Sequence, residues 1–240
     1  MSLPTLVAAV LAAFSLACTT VATQPSDRFA VQSEYSAAEP NASLFPSDAE
    51  ILSDEQIRRI LETRVAVPDR ARIALLHLNH RSLGRYFSWS NYYGGTAAER
   101  LADDALVRDL RESPSIADAA YLPSLLLPAE RSVPRLREAA ARFQSDLLFV
   151  YATDCQVFSR YRVFKADESK AQCTAEAALL DVRTGVVPFT AKAEEEFVVE
   201  QRKSDADFAE TIERAEASAA QAAVRSTARS LVDFLAASHR

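Results

Sequence analysis

The chain has 240 residues and a net charge of −6, with 49% hydrophobic and 25% charged residues. This balance supports a folded body and disfavours nucleic acid as a partner, which would call for a basic stripe. Only four glycines and three histidines are present, and no Gly-rich phosphate loop, HExxH pair, CxxC pair or GxSxG elbow occurs.

The first charged residue is Asp27, and Leu3 to Ala17 is almost wholly small or apolar, broken only by Pro4, Thr5 and Ser15. That run is shorter than the roughly 20 residues a membrane-spanning helix needs. It reads as a secretory signal over residues 1–17, whose apolar part ends in small residues at a cleavage point. The tetrad Ser15-Leu16-Ala17-Cys18 resembles the lipobox of bacterial lipoproteins, in which a small residue precedes a cysteine that is acylated through its thiol. The resemblance implies that Cys18 carries the lipid. Thr19, in place of the aspartate that retains many such proteins at the inner membrane, implies outer-membrane placement facing the periplasm. Residues 18–50, rich in Thr, Ser, Ala, Pro and acidic side chains, have no sustained apolar period and read as a lipid-anchored flexible tether. Residues 51–240 are then long enough for one α/β domain and one core.

The body's first signal is Ser53 followed by Gln56, a capping box for a short helix with Ile57, Ile60 and Leu61 on one side. Arg72 to Leu78 is a continuous apolar run and reads as a buried strand. Thr96 and Glu99 announce a second helix, to about Arg111, with Leu101, Ala105 and Leu110 facing inward. Ile116 to Leu122 is a second strand. Ser132 and Pro134 open a third helix, to about Gln144, carrying Leu136, Ala140 and Phe143. Leu147 to Thr153 is the strongest strand pattern in the chain, and Val157 to Phe164 continues or repeats it. A polar turn over residues 165–170 then leads to a strand from Thr174 to Val182. Thr184-Gly185 is a tight turn into a last strand, where Pro188 favours an edge. A long helix opened by Ser204 and Asp207 closes the chain, with an alanine-rich stripe. The expected architecture is a single mixed-sheet sandwich with helices packed on the sheet: β-α-β-α, an antiparallel meander, and the terminal helix.

Chemistry is sparse in this pattern. His77 and His80 need not converge, and His239 lies at the terminus, so neither a catalytic residue, a metal site nor a cofactor is expected. Asp103-Asp104 and Glu194, Glu195 and Glu196 read as solvated faces rather than an acid/base pair. Cys155 and Cys173 are candidates for a disulfide, since free thiols are uncommon in an oxidising compartment. A hairpin centred on residues 167 and 168 argues against it, because that register sets Cys155 near Leu180 and Cys173 near Arg162. The aromatic run containing Tyr86, Phe87, Trp89, Tyr92 and Tyr93 is the candidate partner surface, as such rings anchor protein interfaces.

Taken together, Arg72-Ile-Ala-Leu-Leu-His-Leu, Ser145-Asp146 before a strand, and Leu179 to Gly185 with its DxxTG turn resemble the CsgG/LpoB-like lipoproteins, related in fold to the TolB amino-terminal domain. The resemblance covers about residues 70–237. It implies a periplasmic α/β domain that binds protein rather than catalyses, with Asp181, Arg183, Thr184 and Gly185 forming a structural turn. The expected function is that of an accessory or adaptor lipoprotein binding another envelope protein. The alternatives are a structural lipoprotein without a recognition patch and a hydrolase with an unrecognised carboxylate site.

Overall fold

A computed structural model describes residues 30–31, 44, 52–78, 105–128 and 131–238. The secondary structure runs β1 (Ala30–Val31), α1 (Asp54–Glu62), β2 (Ala71–His77), α2 (residues 105–111) and β3 (Ile116–Tyr121). A single 3-10 turn (Ser124–Leu126) and α3 (Val133–Arg142) follow, then β4 (Leu147–Arg160), β5 (Glu168–Asp181), β6 (Phe189–Glu200) and α4 (Phe208–Ala237). The sheet order is β3-β2-β4-β5-β6, with β1 paired to β4. β2 lies parallel to both β3 and β4, whereas β4, β5 and β6 form an antiparallel meander. This is the mixed α/β sandwich expected from the sequence, with helices on both faces.

The two faces follow from strand alternation. Odd-numbered residues of the central strands, among them Ile73, Leu75, Phe149 and Leu179, meet Leu106 and Leu110 of α2 and Leu231 and Leu235 of α4. Even-numbered neighbours such as Leu76, Leu148, Val150 and Leu180 meet Leu136, Ala139 and Ala140 of α3. The near-continuous apolar run in β2 and early β4 is therefore the mark of a strand covered on both sides. Beyond residue 154 the meander is covered on one face only. There Ala215 and Ala219 of α4 pack on Ala171 and Cys173, and the absence of larger side chains lets the helix come close.

Several local expectations need correction. The hairpin between β4 and β5 is centred on residue 164, not on 167 and 168, so Cys155 pairs with Cys173 directly. Of the residues taken for a turn, 168–170 belong to β5, which starts six residues earlier than Thr174: Ser169, Ala171 and Cys173 are fully buried on the α4 side, while Lys170 and Gln172 lie on the other face. Strand β4 accordingly ends at Arg160. Ser132 makes no side-chain cap to α3; instead the Val133 N–H donates to the Leu44 carbonyl at 3.2 Å. Asp207, not Ser204, caps α4, accepting from the Glu210 N–H at 3.1 Å. The Ser53–Gln56 capping box forms in both directions, at 2.8 and 3.3 Å, yet no residue of α1 is buried. Residues 18–50 touch the body at Leu44, which packs on the α3 layer, and at β1.

Candidate interaction surface

Of the residues singled out by sequence, Cys18, Tyr86, Phe87, Trp89, Tyr92, Tyr93, His80 and His239 lie outside the described residues. His77 lies at the end of β2. Its ring stacks on Tyr151 at 4.6 Å, and its Nε2 lies 3.2 Å from the Thr153 hydroxyl. The Tyr121 and Tyr151 hydroxyls are 2.8 Å apart beside it. Among the described residues, no group of three His, Cys, Asp or Glu side chains could hold a metal ion. The acidic run on β6 is spread over both faces: Glu195 accepts from Ser226 at 2.7 Å, Glu196 pairs with Lys170, and Glu194 with Gln172.

Cys155 and Cys173 do come together. They are cross-strand partners, with sulfurs 2.08 Å apart and Cα atoms 4.1 Å apart. The bridge ties the outer half of the hairpin beneath Ala219, so the strands beyond it form a held arm rather than a loose ribbon.

The end of that arm is the surface that sequence reasoning did not single out. Residues Tyr161, Val163 and Phe164 are 54%, 82% and 98% exposed. An exposed apolar trio is unusual enough to ask for an explanation when its backbone is held. Here Arg162 holds it. Its backbone N–H donates to Asp167 at 2.7 Å and its Nε to the Ala166 carbonyl at 2.6 Å, while its two Nη atoms reach Glu168 at 2.9 Å and Glu200 at 3.0 Å. Tyr161 leans on Phe208 at the start of α4, ring centres 5.1 Å apart. The signal in the sequence was Tyr161, Val163 and Phe164 interleaved with Arg162 and Lys165, which a strand reading absorbed.

The adjoining corner between β6 and α4 is equally fixed. The Gln201 N–H donates to the Asp167 carbonyl at 2.7 Å, joining the corner to the hairpin tip. Asp205 accepts from both Arg214 Nη atoms at 2.8 Å, from the Thr211 hydroxyl at 2.8 Å and from the Arg202 N–H at 2.8 Å. The Arg214 guanidinium above all holds the Asp205 carboxyl well below the ordinary carboxylate range, against the opposing effect of desolvation. Arg202 and Lys203 stay exposed on this corner, as does Lys165 on the tip.

At the opposite end, the Asp181 to Gly185 turn forms as the resemblance implied. Asp181, 5% exposed, accepts from the Thr184 N–H at 2.8 Å, and Gly185 takes φ +80. Arg137 of α3 closes over it, donating to the carbonyls of Val182 and Arg183. Asp146 accepts from the Arg72 N–H at 2.9 Å and so ties β2 to the start of β4. The turn is structural. An open cleft of about 450 Å³ between the 3-10 turn and α3, lined by Leu125, Leu126, Arg135 and Glu138, has Glu138 as its one carboxylate among the described residues.

No family model matches this chain, and no curated protein matches it. Solved structures that match include a candidate lipoprotein of Caulobacter crescentus, at 13% identity over 43% of this chain and 81% of that one, TM-score 0.31. Lipoprotein GNA1162 of Neisseria meningitidis matches at 15% identity over 57% of this chain and 88% of that one, TM-score 0.32. The LpoB C-terminal domain of Salmonella enterica matches at 12% identity over 60% of this chain and 93% of that one, TM-score 0.28. One of the three, the LpoB domain, belongs to the group that the sequence resembles.

Proposed function

We propose that this chain is a non-enzymatic envelope lipoprotein, anchored to the outer membrane through Cys18 after removal of residues 1–17, and that it acts as an adaptor binding another envelope protein. The observation that carries the reading is the short apolar run ending at Ser15-Leu16-Ala17-Cys18. Two features of the body support it. Large apolar side chains such as Val163 and Phe164 stand exposed on its surface, and its acidic run is engaged with β5 and α4 rather than gathered at one point. The aromatic run from Tyr86 to Tyr93 is the proposed protein-binding surface, because Trp and Tyr supply large contact area at low entropic cost.

Mass measurement of the membrane-extracted protein tests the anchor: a diacylglycerol thioether on Cys18 is expected, and an unmodified Cys18 rules the anchor out. Cross-linking of the lipidated protein in envelopes tests the adaptor role. A partner adduct lost in Trp89→Ala with Tyr92→Ala is expected, and an unchanged adduct pattern rules out that surface.

A further inference from the structure

We propose that the β4–β5 tip and the β6–α4 corner together form a docking face for an anionic phospholipid bilayer. The apolar part of this face is Val163 and Phe164, with Tyr161 at its base; the charged part is Lys165, Arg202 and Lys203. Interfacial binding needs both components, an apolar wedge that enters the acyl boundary and cations level with the headgroups.

The cations at this end divide into two sets, and the carboxylates of Asp167, Asp207 and Glu210, which accept backbone N–H groups, stand among them. Arg160, Arg162 and Arg214 are neutralised by Glu168, Glu200 and Asp205 and hold the backbone. Lys165, Arg202 and Lys203 form no ion pair among the described residues, and all three are exposed. Three exposed cations without an ion pair among the described residues therefore stand at this end of a molecule whose overall charge is −6, as Arg64, Arg70 and Arg108 do elsewhere in it. The side chains of Val163 and Phe164 stand clear of the fold, and the tip backbone is held by the Arg162 contacts, which suits entry into a soft surface. Little ordering remains to be done on binding.

The direction of the chain selects a membrane over another occupant. β1 runs antiparallel to β4, with Ala30 opposite Ser159 and Val31 opposite Phe158. Because β4 runs toward the tip, the amino-terminal end of β1 points toward that same end. Eleven residues lie between Cys18 and Ala30, a contour of at most about 43 Å. A lipid on Cys18 would thus be within reach of a bilayer that receives Phe164. This last argument rests on the anchor proposed above; the composition and geometry of the face do not.

The test uses the chain from residue 18 onward carrying Cys18→Ser, so that no acyl chain contributes, and sedimentation with vesicles of phosphatidylethanolamine and phosphatidylglycerol or of phosphatidylcholine alone. Preferential binding to the anionic vesicles is expected, weakened about tenfold by Phe164→Ser and by more than tenfold by Lys165→Glu, Arg202→Glu and Lys203→Glu combined. All four positions are exposed, and an unchanged circular-dichroism melt verifies folding. No preference for anionic vesicles, or binding that survives either variant within twofold, overturns the proposal. So does concentration-dependent self-association that vanishes in Phe164→Ser without vesicle binding. The state of Cys18, read by mass in the native protein, is independent. An unmodified Cys18 with tip-dependent binding removes the anchor and leaves the docking face. A lipidated Cys18 without tip-dependent binding does the reverse.

Discussion

Cys155 and Cys173 face one another across β4 and β5, beneath Ala219 of α4, at the point where the meander leaves the two-sided core. The bridge therefore closes the outer hairpin, 18 residues from one sulfur to the other. Replacing both cysteines by serine should lower unfolding free energy by about 2–4 kcal/mol, measured by urea titration. Before reduction, alkylation followed by peptide mass analysis should modify neither residue.

The close seat of α4 on this bridge makes a second test. Ala219 is fully buried, whereas Ala236 on the same helix faces solvent. Ala219→Leu should destabilise by about 1–3 kcal/mol through overpacking, while Ala236→Leu should change stability by less than about 0.5 kcal/mol. Equal effects on the thermal midpoint would show that α4 does not approach as closely as drawn.

Gly185 occupies φ +80, and an added Cβ would stand 3.0 Å from Arg137 Nη1. Gly185→Ala should cost about 1–2 kcal/mol from the left-handed backbone, with a further contribution if the Arg137 side chain is displaced from the turn. Denaturant melts of Gly185→Ala, alone and with Arg137→Ala, separate the two.

Asp205 predicts a pH dependence. Its folded carboxyl binds its proton less tightly than the ordinary value of 3.8, chiefly because of Arg214. A depressed carboxyl stabilises the fold fully above its unfolded value and loses that contribution as pH falls below it. The stability gap between the parent and Asp205→Asn should therefore be widest near neutrality and close below about pH 4, followed by urea midpoints across that range.

Much of the fold was legible because burial on two faces writes itself as an unbroken apolar run, as in Ile73 to Leu76 and Leu147 to Val150. Helix starts at Ser53 and Asp207 were legible from hydrogen-bonding side chains near the turn. The hairpin register was not. In one-sided strands the outward residues are free to be charged, so Lys170 and Gln172 imitate a turn while Ser169, Ala171 and Cys173 alone mark the strand. With the register displaced, the disulfide geometry and the exposed tip were both hidden. The aromatic run and Cys18 drew attention by composition and motif, whereas Phe164 stands out only once its side chain is seen to be 98% exposed.

α4 has 30 residues, a span of about 45 Å, and it touches Leu179 and Phe149 of the inner sheet as well as Cys173 of the outer arm. A force applied at Phe164 would run along β4 into the parallel strands and along α4 at the same time. Two stiff members braced in parallel give the arm no hinge of its own. Tension taken up at a tethered surface would accordingly reach the far turn at Gly185 as rigid-body rotation, leaving both ends fixed in orientation by whichever one is held.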